Sequence, residues 1–430
     1  MTGGASACPD VAPGRRQAAA WVLLDWAASG FSTVQITLLV AYCERVVFAD
    51  RAWGVDAGVV WAWTLAAAML VAAIAAPWLA AWADRTRRHR TALVGSVVAG
   101  AGALAALAAI PPTARVAVAA AIVVAAVGFD LAAVFTGSLL PAIAAGPAAD
   151  RLSARGFAAG YAGGALALVV ATTLVATHES LGLSATGGLR AAFLFTGAWW
   201  LVFSLPAAAT RFGAGGGAAH AATSGRELLA FARSLATGHD GERRLATVLA
   251  GAVLVLGAVQ TAIAQFSSVA LAEFGLDGPA LVRLVLLVQA VALPGALVVG
   301  WFSSRAGRGA AIAACIGGWA AVLVLAWFVR TALQLHALAV LLALVLGGVQ
   351  SVIRATVADL APAGRSAATF GLLQVGTKLA GCLASLVFGG IYAAAGSPRT
   401  ALVALLAQLV VGWWALSRAG DSVSAGRRAG

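Results

Sequence analysis

The 430-residue chain has little charge: only 10% of its residues are Asp, Glu, Lys or Arg, whereas 62% are hydrophobic. Soluble domains carry about a quarter charged residues and about half apolar ones. A water-soluble fold has no interior large enough for this apolar excess, so the composition argues against a soluble enzyme and against a nucleic-acid-binding module. The net charge of +12 is then better explained as a signal of membrane orientation than as a docking surface.

Motifs for catalytic or redox chemistry are also missing. The four cysteines are not spaced as metal ligands or redox pairs, no HExxH or convergent pair of acids occurs, and no GxxxxGK[ST] loop is present to bind a nucleotide. No histidine falls in the core of an apolar run, which argues against a histidine proton relay. Residues 1–16 lack the apolar core of a signal peptide, so we expect the first apolar run to be retained. The sequence therefore predicts no enzyme, no metal and no cofactor.

Twelve apolar runs are long enough to cross the hydrocarbon core of a bilayer, which takes roughly 20 residues of helix. Helix is the conformation that fits, because an open sheet in lipid would leave backbone groups unpaired. The longest connection separates six runs from six and is rich in glycine, which predicts two similar halves. The predicted spans 1 to 12 cover residues 18–42, 57–82, 91–110, 116–142, 156–177, 190–210, 245–271, 280–302, 310–330, 336–358, 366–394 and 399–417.

The distribution of arginine predicts the orientation of these spans. If both termini are cytosolic, 19 of the 28 basic residues fall in cytosolic segments and 7 on the other side. Lys and Arg are retained on the cytosolic side, so the bias predicts both termini inside. The predicted organisation is an N-terminal six-helix bundle at 1–210, a flexible cytosolic linker at 211–243, a C-terminal six-helix bundle at 244–417 and a disordered polar tail at 418–430. One short amphipathic helix is expected in the linker, around residues 226–235.

Two basic turns occupy equivalent places in the two halves. The turn after span 2 places Asp84 four residues after Ala80, and the turn after span 8 places Ser304 four residues after Gly300. By charge alone, each turn is a plain anchor for membrane orientation. Both resemble the loop 2–3 signature of the major facilitator superfamily, in which Asp-Arg follows a small residue at this spacing. The resemblance implies a cytosolic gate formed by Asp84, Arg85, Arg88, Arg305 and Arg308.

The start of span 1 carries a more specific resemblance. Residues 24–29 resemble the Tyr-Asp-Trp-Ala-Asn-Ser opening of one branch of that superfamily, the autophagy-related vacuolar effluxer-like proteins and their bacterial relatives, with Leu24 and Ala28 in place of Tyr and Asn. The branch implies efflux of small solutes, which are amino acids in the fungal members. Further matches to the branch lie at residues 135–141, 156–164, 347–354 and 370–371 and at Lys378.

Polar residues inside the apolar spans are the candidates for function, because an ionisable group costs about 2.5–3.5 kcal/mol to insert at the centre of a helix. Lys378 is the only lysine and lies about midway along span 11. In the superfamily, spans 1, 4, 7 and 10 line the central cavity, and the polar positions are consistent with that map once span 11 is added. The predicted substrate-binding or coupling residues are Asp25, Asp130, Gln260, Gln350, Arg354, Gln374 and Lys378.

Each of these residues also has a structural alternative. Asp25 could cap helix ends or pair with a cytosolic arginine, and Arg354 could form an ion pair instead of binding an anion. Lys378 could hold a substrate carboxylate, or it could pair with Asp130 in a contact that opens during transport. The glutamines could merely bridge helices.

Small and aromatic residues indicate how the spans pack. Gly156, Gly160 and Gly164 form overlapping small-xxx-small patterns in span 5, which predict close helix packing. The adjacent Trp199 and Trp200 are expected to be interfacial anchors.

The sequence thus predicts a multi-pass secondary transporter of the cytoplasmic membrane that works by alternating access. We expect it to export a small solute, most simply an amino acid or small carboxylate, coupled to a proton or another ion. It is expected to be a monomer in the lipid bilayer and to bind no nucleic acid. The alternatives are a facilitator of another solute, such as a sugar or a drug-like compound, and a non-transporting membrane receptor.

Overall fold

The structure is a computed structural model that describes residues 14–51, 53–144, 146–210, 212, 225–238, 240–362 and 366–428. All regular elements in this part of the chain are helical. Twelve of them are long and apolar enough to cross a membrane, which confirms the twelve predicted spans. We number these helices α1 to α12 and call the short additional element the linker helix.

The bounds of the helices follow the apolar runs to within a few residues at most ends. The linker helix covers Gly225–Thr237. The spanning helices are Arg15–Val47 (α1), Ala57–Thr86 (α2), His89–Ala109 (α3), Arg115–Ile143 (α4), Gly146–Ala176 (α5), Ala185–Ala209 (α6), Asp240–Phe274 (α7), Gly278–Ala306 (α8), Arg308–Leu325 (α9), Ala332–Leu346 with Gly348–Leu360 (α10), Ser366–Ala395 (α11) and Pro398–Arg428 (α12).

The two ends of the bundle differ in charge and in helix capping. The basic end holds the start of α1, the α2–α3 and α8–α9 turns and the linker helix, and the arginine-poor end holds the α1–α2, α3–α4, α5–α6, α7–α8, α9–α10 and α11–α12 connections. At the arginine-poor end, Ser184 caps α6, Asp277 caps α8, and Thr331 with Gln334 forms a capping box on α10. These side chains satisfy backbone groups that the first turn leaves unpaired, so the helices start at defined positions there.

Two spanning helices are irregular. Helix α1 contains two π-helical segments, Gln35–Leu39 and Cys43–Val47, in the half nearer the arginine-poor end. Helix α10 is interrupted at Gly347, between Ala332–Leu346 and Gly348–Leu360. Segments of π-helix and breaks in spanning helices are both common at functional sites, so these two helices are the first places to look for the site.

The helices form two halves, α1–α6 and α7–α12, that meet along a central interface. In the first half, α1 packs on α5 and α6, and α3 packs on α4 and α6; in the second half, α7 packs on α11 and α12. Helix α2 crosses against α11 of the other half, and α5 lies against α8. The residues between the halves are therefore supplied by α1, α2, α4 and α5 on one side and α7, α8, α10 and α11 on the other.

The connecting segments differ from the expectation in one place. The linker helix lies where an amphipathic helix was predicted, and it buries Phe231 and Leu235 against the core of the second half. Residues 211, 213–224 and 239 of the predicted linker lie outside the described residues. Helix α12 continues to Arg428, past the predicted end of span 12 at residue 417. No proline interrupts the chain after Pro398 to end that helix earlier.

The prediction that Trp199 and Trp200 are interfacial anchors is wrong. Both side chains are buried. The Trp199 ring stacks on Trp26 with centroids 5.6 Å apart, and the Trp200 ring stacks on Phe31 at 5.2 Å. Both rings lie on a face of α6 that packs against α1. Which face of α6 points inward depends on how the helices pack together, and the sequence of the tryptophan pair does not reveal it.

Candidate functional site

An ion pair joins the two halves near the middle of the bundle. The ammonium of Lys378 on α11 donates a hydrogen bond to Oδ1 of Asp130 on α4, and the two atoms are 2.6 Å apart. Their side chains are 26% and 13% exposed, so the pair is mostly shielded but not sealed. Of the two contacts that the sequence left open for Lys378, the structure contains the pair with Asp130.

A second pair of opposite charges faces across the halves nearer the basic end. Asp25 of α1 and Arg354 of α10 attract each other electrostatically. No ion pair within 4 Å joins these two described residues. The Arg354 side chain is exposed although it faces a helix of the other half. An opening between the halves on the basic side accounts for an arginine that is exposed and yet feels the charge of Asp25 on α1, and we infer such an opening.

Helix α1 is positioned by a regular contact with α5. Asp25, Ser29 and Thr33 recur every fourth residue along α1, and each lies against one glycine of α5. A methyl group at Gly160 would lie 2.7 Å from the Ser29 hydroxyl. Gly156 lies against Asp25 and Gly164 against Thr33 in the same way. The small-xxx-small pattern therefore does pack closely, and the glycines leave room for the polar face of α1.

The three predicted glutamines lie on inter-half helices, but their exposure differs. Gln260 on α7 and Gln350 on α10 are half-buried, whereas Gln374 on α11 is exposed. Gln350 lies one turn before Arg354, and Gln374 one turn before Lys378, so each shares a face with a charged residue. The structure places all seven predicted site residues on the helices that form the interface, in two groups at different depths rather than one cluster.

Several polar residues that the sequence reasoning missed also lie at the interface. Gln265 on α7 is fully buried, and neither polar atom of its amide has a hydrogen-bond partner. Gln289 on α8 donates to the Thr33 hydroxyl at 3.0 Å. Glu44 lies in the second π-helical segment of α1, and its Oε1 atom is buried without a partner. The predicted span 1 ended at residue 42; extending it by one turn would have drawn attention to Glu44.

At the arginine-poor end the halves are in direct contact. Ser267 of α7 donates to the backbone oxygen of Ile36 in the first π-helical segment of α1. The indole of Trp61 on α2 donates to the oxygen of Ala264 on α7 at 3.2 Å. The guanidinium of Arg45 donates to the oxygen of Leu276 in the α7–α8 connection. This end is therefore closed in the structure.

The predicted gate lies at the basic end. Arg85, Arg88, Arg305 and Arg308 are exposed, and the guanidinium of Arg305 lies 4.5 Å from the ring centre of Trp301, one turn earlier on α8. The side chain of Asp84 lies outside the described part of the chain. The gate contacts thus stay a prediction.

Two further features of the described residues do not belong to this interface. A cleft of about 870 Å³ lies between the start of α1 and the end of α6, lined by residues such as Arg15, Arg16 and Thr210. It lies within the first half and touches none of the predicted site residues.

No group of three or more His, Cys, Asp or Glu in the described residues has the geometry to hold a metal ion.

The family model described as vacuole effluxer Atg22 like matches residues 44–419 of the chain. The chain is also 26% identical over 405 residues to an uncharacterized MFS-type transporter, YxiO, of Bacillus subtilis strain 168, a match that covers 92% of this chain and 93% of the relative.

Solved transporters share the fold at low sequence identity. A variant of the nucleoside transporter NupG superposes with a TM-score of 0.71 at 13% identity and covers 94% of this chain and all of its own. A D-xylose–proton symporter superposes with a TM-score of 0.69 at 14% identity, covering 92% of this chain and 97% of its own. At these identities the likeness establishes the architecture of two six-helix halves and says nothing of the solute.

Proposed function

The chain belongs to the vacuole effluxer Atg22-like family and is a multi-pass membrane transporter of the major facilitator superfamily, not an enzyme; from this premise we propose that it exports a small zwitterion or carboxylate, an amino acid being the leading case. Export proceeds by alternating access across the cytoplasmic membrane and is coupled to an ion gradient. The basic end faces the cytosol, so the structure corresponds to a state closed toward the outside.

The observation that carries this proposal is the pairing of opposite charges across the halves at two depths. Asp130 faces Lys378, and Asp25 faces Arg354, so each half contributes a charge to both pairs. An amino acid carries one ammonium and one carboxylate, which match the acidic and the basic member of such a pair. A neutral sugar offers no charge that could replace either member of these pairs, which disfavours that alternative.

The two pairs have different roles in the proposed cycle. Asp25 and Arg354 are not in contact, and Arg354 is exposed, so a solute entering from the basic end can bridge them. Asp130 and Lys378 are bonded, so the solute has to compete for them or the pair has to open as the halves rock. A contact that exists in one state and breaks in the other supplies the difference in free energy that alternating access needs.

The gate completes the proposal at the basic end. When the solute has bound and this end closes, Asp84 pairs with helix ends or arginines of the other half, including the set Arg85, Arg88, Arg305 and Arg308. The chain contains no nucleotide-binding loop, and the proposed energy source is an ion gradient, with Asp25 or Asp130 as the carboxylates of the cavity that can exchange a proton. The working unit is a monomer.

The experiment is a solute screen on the purified full-length protein. Amino acids, small carboxylates, nucleosides and sugars are first tested for thermal stabilisation, because a ligand that binds only the folded protein raises its stability by RT ln(1 + [L]/Kd). Solutes that stabilise are then tested for counterflow in proteoliposomes. We expect stabilisation and counterflow with at least one zwitterion or carboxylate. Stabilisation without counterflow would indicate a receptor, and counterflow confined to sugars or nucleosides would overturn the proposed substrate class.

A further inference from the structure

We propose that Glu44 is the coupling-proton site of this transporter at its arginine-poor end, and that this end closes only when Glu44 carries a proton. The proposal rests on the proposed function in taking the chain to be an ion-coupled transporter. It places proton binding at the arginine-poor end on a residue outside the two charge pairs, from which the proton passes inward to the carboxylates of the central interface.

Glu44 lies where four helices from the two halves meet. It projects from the second π-helical segment of α1 toward Ser268 of α7, whose hydroxyl lies beside its carboxylate. Gly58 of α2 makes this approach possible: a methyl group there would lie 3.4 Å from Glu44 Oε1 and 2.7 Å from both the Ser268 hydroxyl and the Tyr392 ring of α11. Separating the halves at this end would expose Glu44 to water.

No charged group around Glu44 in the described part of the chain forms an ion pair with it. Arg45, the next residue, donates to the backbone oxygen of Leu276 but keeps its positive charge near Glu44. Each remaining group at this end that could face Glu44 is already engaged: Arg51 with Asp56 at 3.4 Å, Glu273 with Arg399 at 3.1 Å, Asp50 with Arg115 at 2.5 Å, and Arg190 with the oxygen of Ile110 at 3.3 Å. Tyr392 and Tyr42 are uncharged phenols. Glu44 therefore forms no ion pair among the described residues.

Glu44 is half-buried, its Oε1 atom is fully buried and it has no ion pair, so its anionic form is unfavourable in the closed end. The closed end therefore contains Glu44 in its neutral, protonated form. When the end opens, water replaces Ser268 and Tyr392 around the carboxyl group, and the proton is free to exchange with the outside. Proton uptake from that side forms the O–H bond on Glu44 and removes the charge that opposes closure.

Buried polar atoms without partners continue from Glu44 into the interior. Ser268 and Gln265 lie three residues apart on one face of α7, and Ser385 of α11 is also fully buried; the Ser385 hydroxyl and both amide atoms of Gln265 lack hydrogen-bond partners. Such atoms rarely stay unsatisfied and usually hold water. One turn inward from Gln265, Thr261 donates to the oxygen of Gly381, which lies one turn from Lys378. We infer that water on these groups provides the route by which the proton leaves toward the central pair.

The test follows the opening of the arginine-poor end directly, with no added solute. Spin labels are placed on Leu181→Cys of the first half and Arg330→Cys of the second, both exposed at this end, after the four native cysteines have been replaced by serine. Electron–electron double resonance is recorded over a range of pH. We expect a short distance at low pH and a growing population of longer distances as the pH rises.

Glu44→Gln, which cannot lose a proton, should show the short distance at every pH. The matched control Glu179→Gln, at an exposed position of the same end, should behave as the parent. The infrared band of a protonated carboxylic acid should be present in the parent protein at neutral pH and absent in Glu44→Gln. This band reports the site even if the variant changes the distances for another reason.

Three results would overturn the proposal. The first is a pH response in Glu44→Gln equal to that of the parent, and the second is a carboxylic-acid band that is present in both proteins or absent from both. The third is a distance change driven by Na⁺ at constant pH. None of these depends on finding a solute. A failure of the solute screen with an intact pH response would instead count against the proposed function alone.

Discussion

Lys378 donates a hydrogen bond to Asp130 across the boundary between the two halves, although 248 residues separate them in the chain. This is the one lysine of the protein, and it lies where the second half faces α4 of the first. An ion pair at this position has to change when the halves rock, because its two members belong to different rigid units. Its energetics can therefore be tested separately from its role in transport.

We predict that Asp130→Asn and Lys378→Met each lower the free energy of unfolding by about 1–3 kcal/mol, somewhat less than for a fully buried pair, because each leaves one unpaired charge. The double variant should recover most of that loss while all three lose transport. Thermal unfolding in detergent and counterflow in proteoliposomes measure the two effects. Strictly additive losses in the double variant would show that the two side chains are not coupled.

Replacing Arg354 should affect solute binding more than stability. The side chain is exposed and has no direct ion pair with Asp25, so Arg354→Gln removes a charge without leaving a bonded partner behind. We expect roughly a tenfold loss of affinity for a carboxylate solute, which corresponds to about 1.4 kcal/mol, with an unchanged unfolding temperature. The control is Arg330→Gln, an exposed arginine at the other end. Equal affinities of the two variants would contradict the assignment of Arg354 to the site.

Gly58→Ala should prevent the arginine-poor end from closing. The added methyl group would lie 2.7 Å from both the Ser268 hydroxyl and the Tyr392 ring, a contact present only when the end is closed. Overpacking typically costs about 1–3 kcal/mol, so the ratio of the closed to the open state should fall by about 5-fold to 150-fold. Gly390→Ala on α11, where no atom lies within 4 Å of the new methyl, is the control. Distances between labels at Leu181→Cys and Arg330→Cys that match in both variants would refute the closure.

Asp84→Asn should slow transport without reducing expression or unfolding temperature. The proposed latch forms when the basic end closes, and an amide in place of the carboxylate loses the charge-assisted part of that contact. We expect a fall of about tenfold in the rate of counterflow at unchanged solute affinity. Asp50→Asn, which alters an exposed acid paired with Arg115 at the other end, is the control. Unchanged transport by Asp84→Asn would rule out the latch.

The sequence located the helices well because each spanning helix is determined by its own run of apolar residues. Any run of about 20 apolar residues has to be helical in lipid, and the described residues contain the twelve predicted spans. The sequence predicted the ends of helices less accurately where they extend beyond the apolar runs. Span 1 is predicted to end at residue 42, whereas α1 continues as a π-helix to Val47 and brings Glu44 into the interface.

The sequence was enough to select the candidate residues but not to give their contacts, and their role in a site stays a prediction. A charge inside an apolar run is costly wherever its partner is, so Asp25, Asp130, Arg354 and Lys378 could be selected by composition alone. The sequence left open whether Lys378 pairs with Asp130, because both answers satisfy the same local pattern. The burial of Trp199 and Trp200 could not be read from the pair itself, since either face of α6 can carry tryptophan.

Sequence alone determined that this is an all-helical membrane protein of twelve spans with few intramembrane charges, and residues 24–29 and the two basic turns pointed to its family. The hydrocarbon thickness and the cost of unpaired groups in lipid act on each segment separately, so these features need no knowledge of the bundle. The tertiary structure decided which end is closed, that Lys378 pairs with Asp130 while Asp25 and Arg354 lie apart at another depth, and that the Oε1 atom of Glu44 is buried without a partner. Those relations arise where rigid helices from the two halves meet, and packing between distant segments sets them.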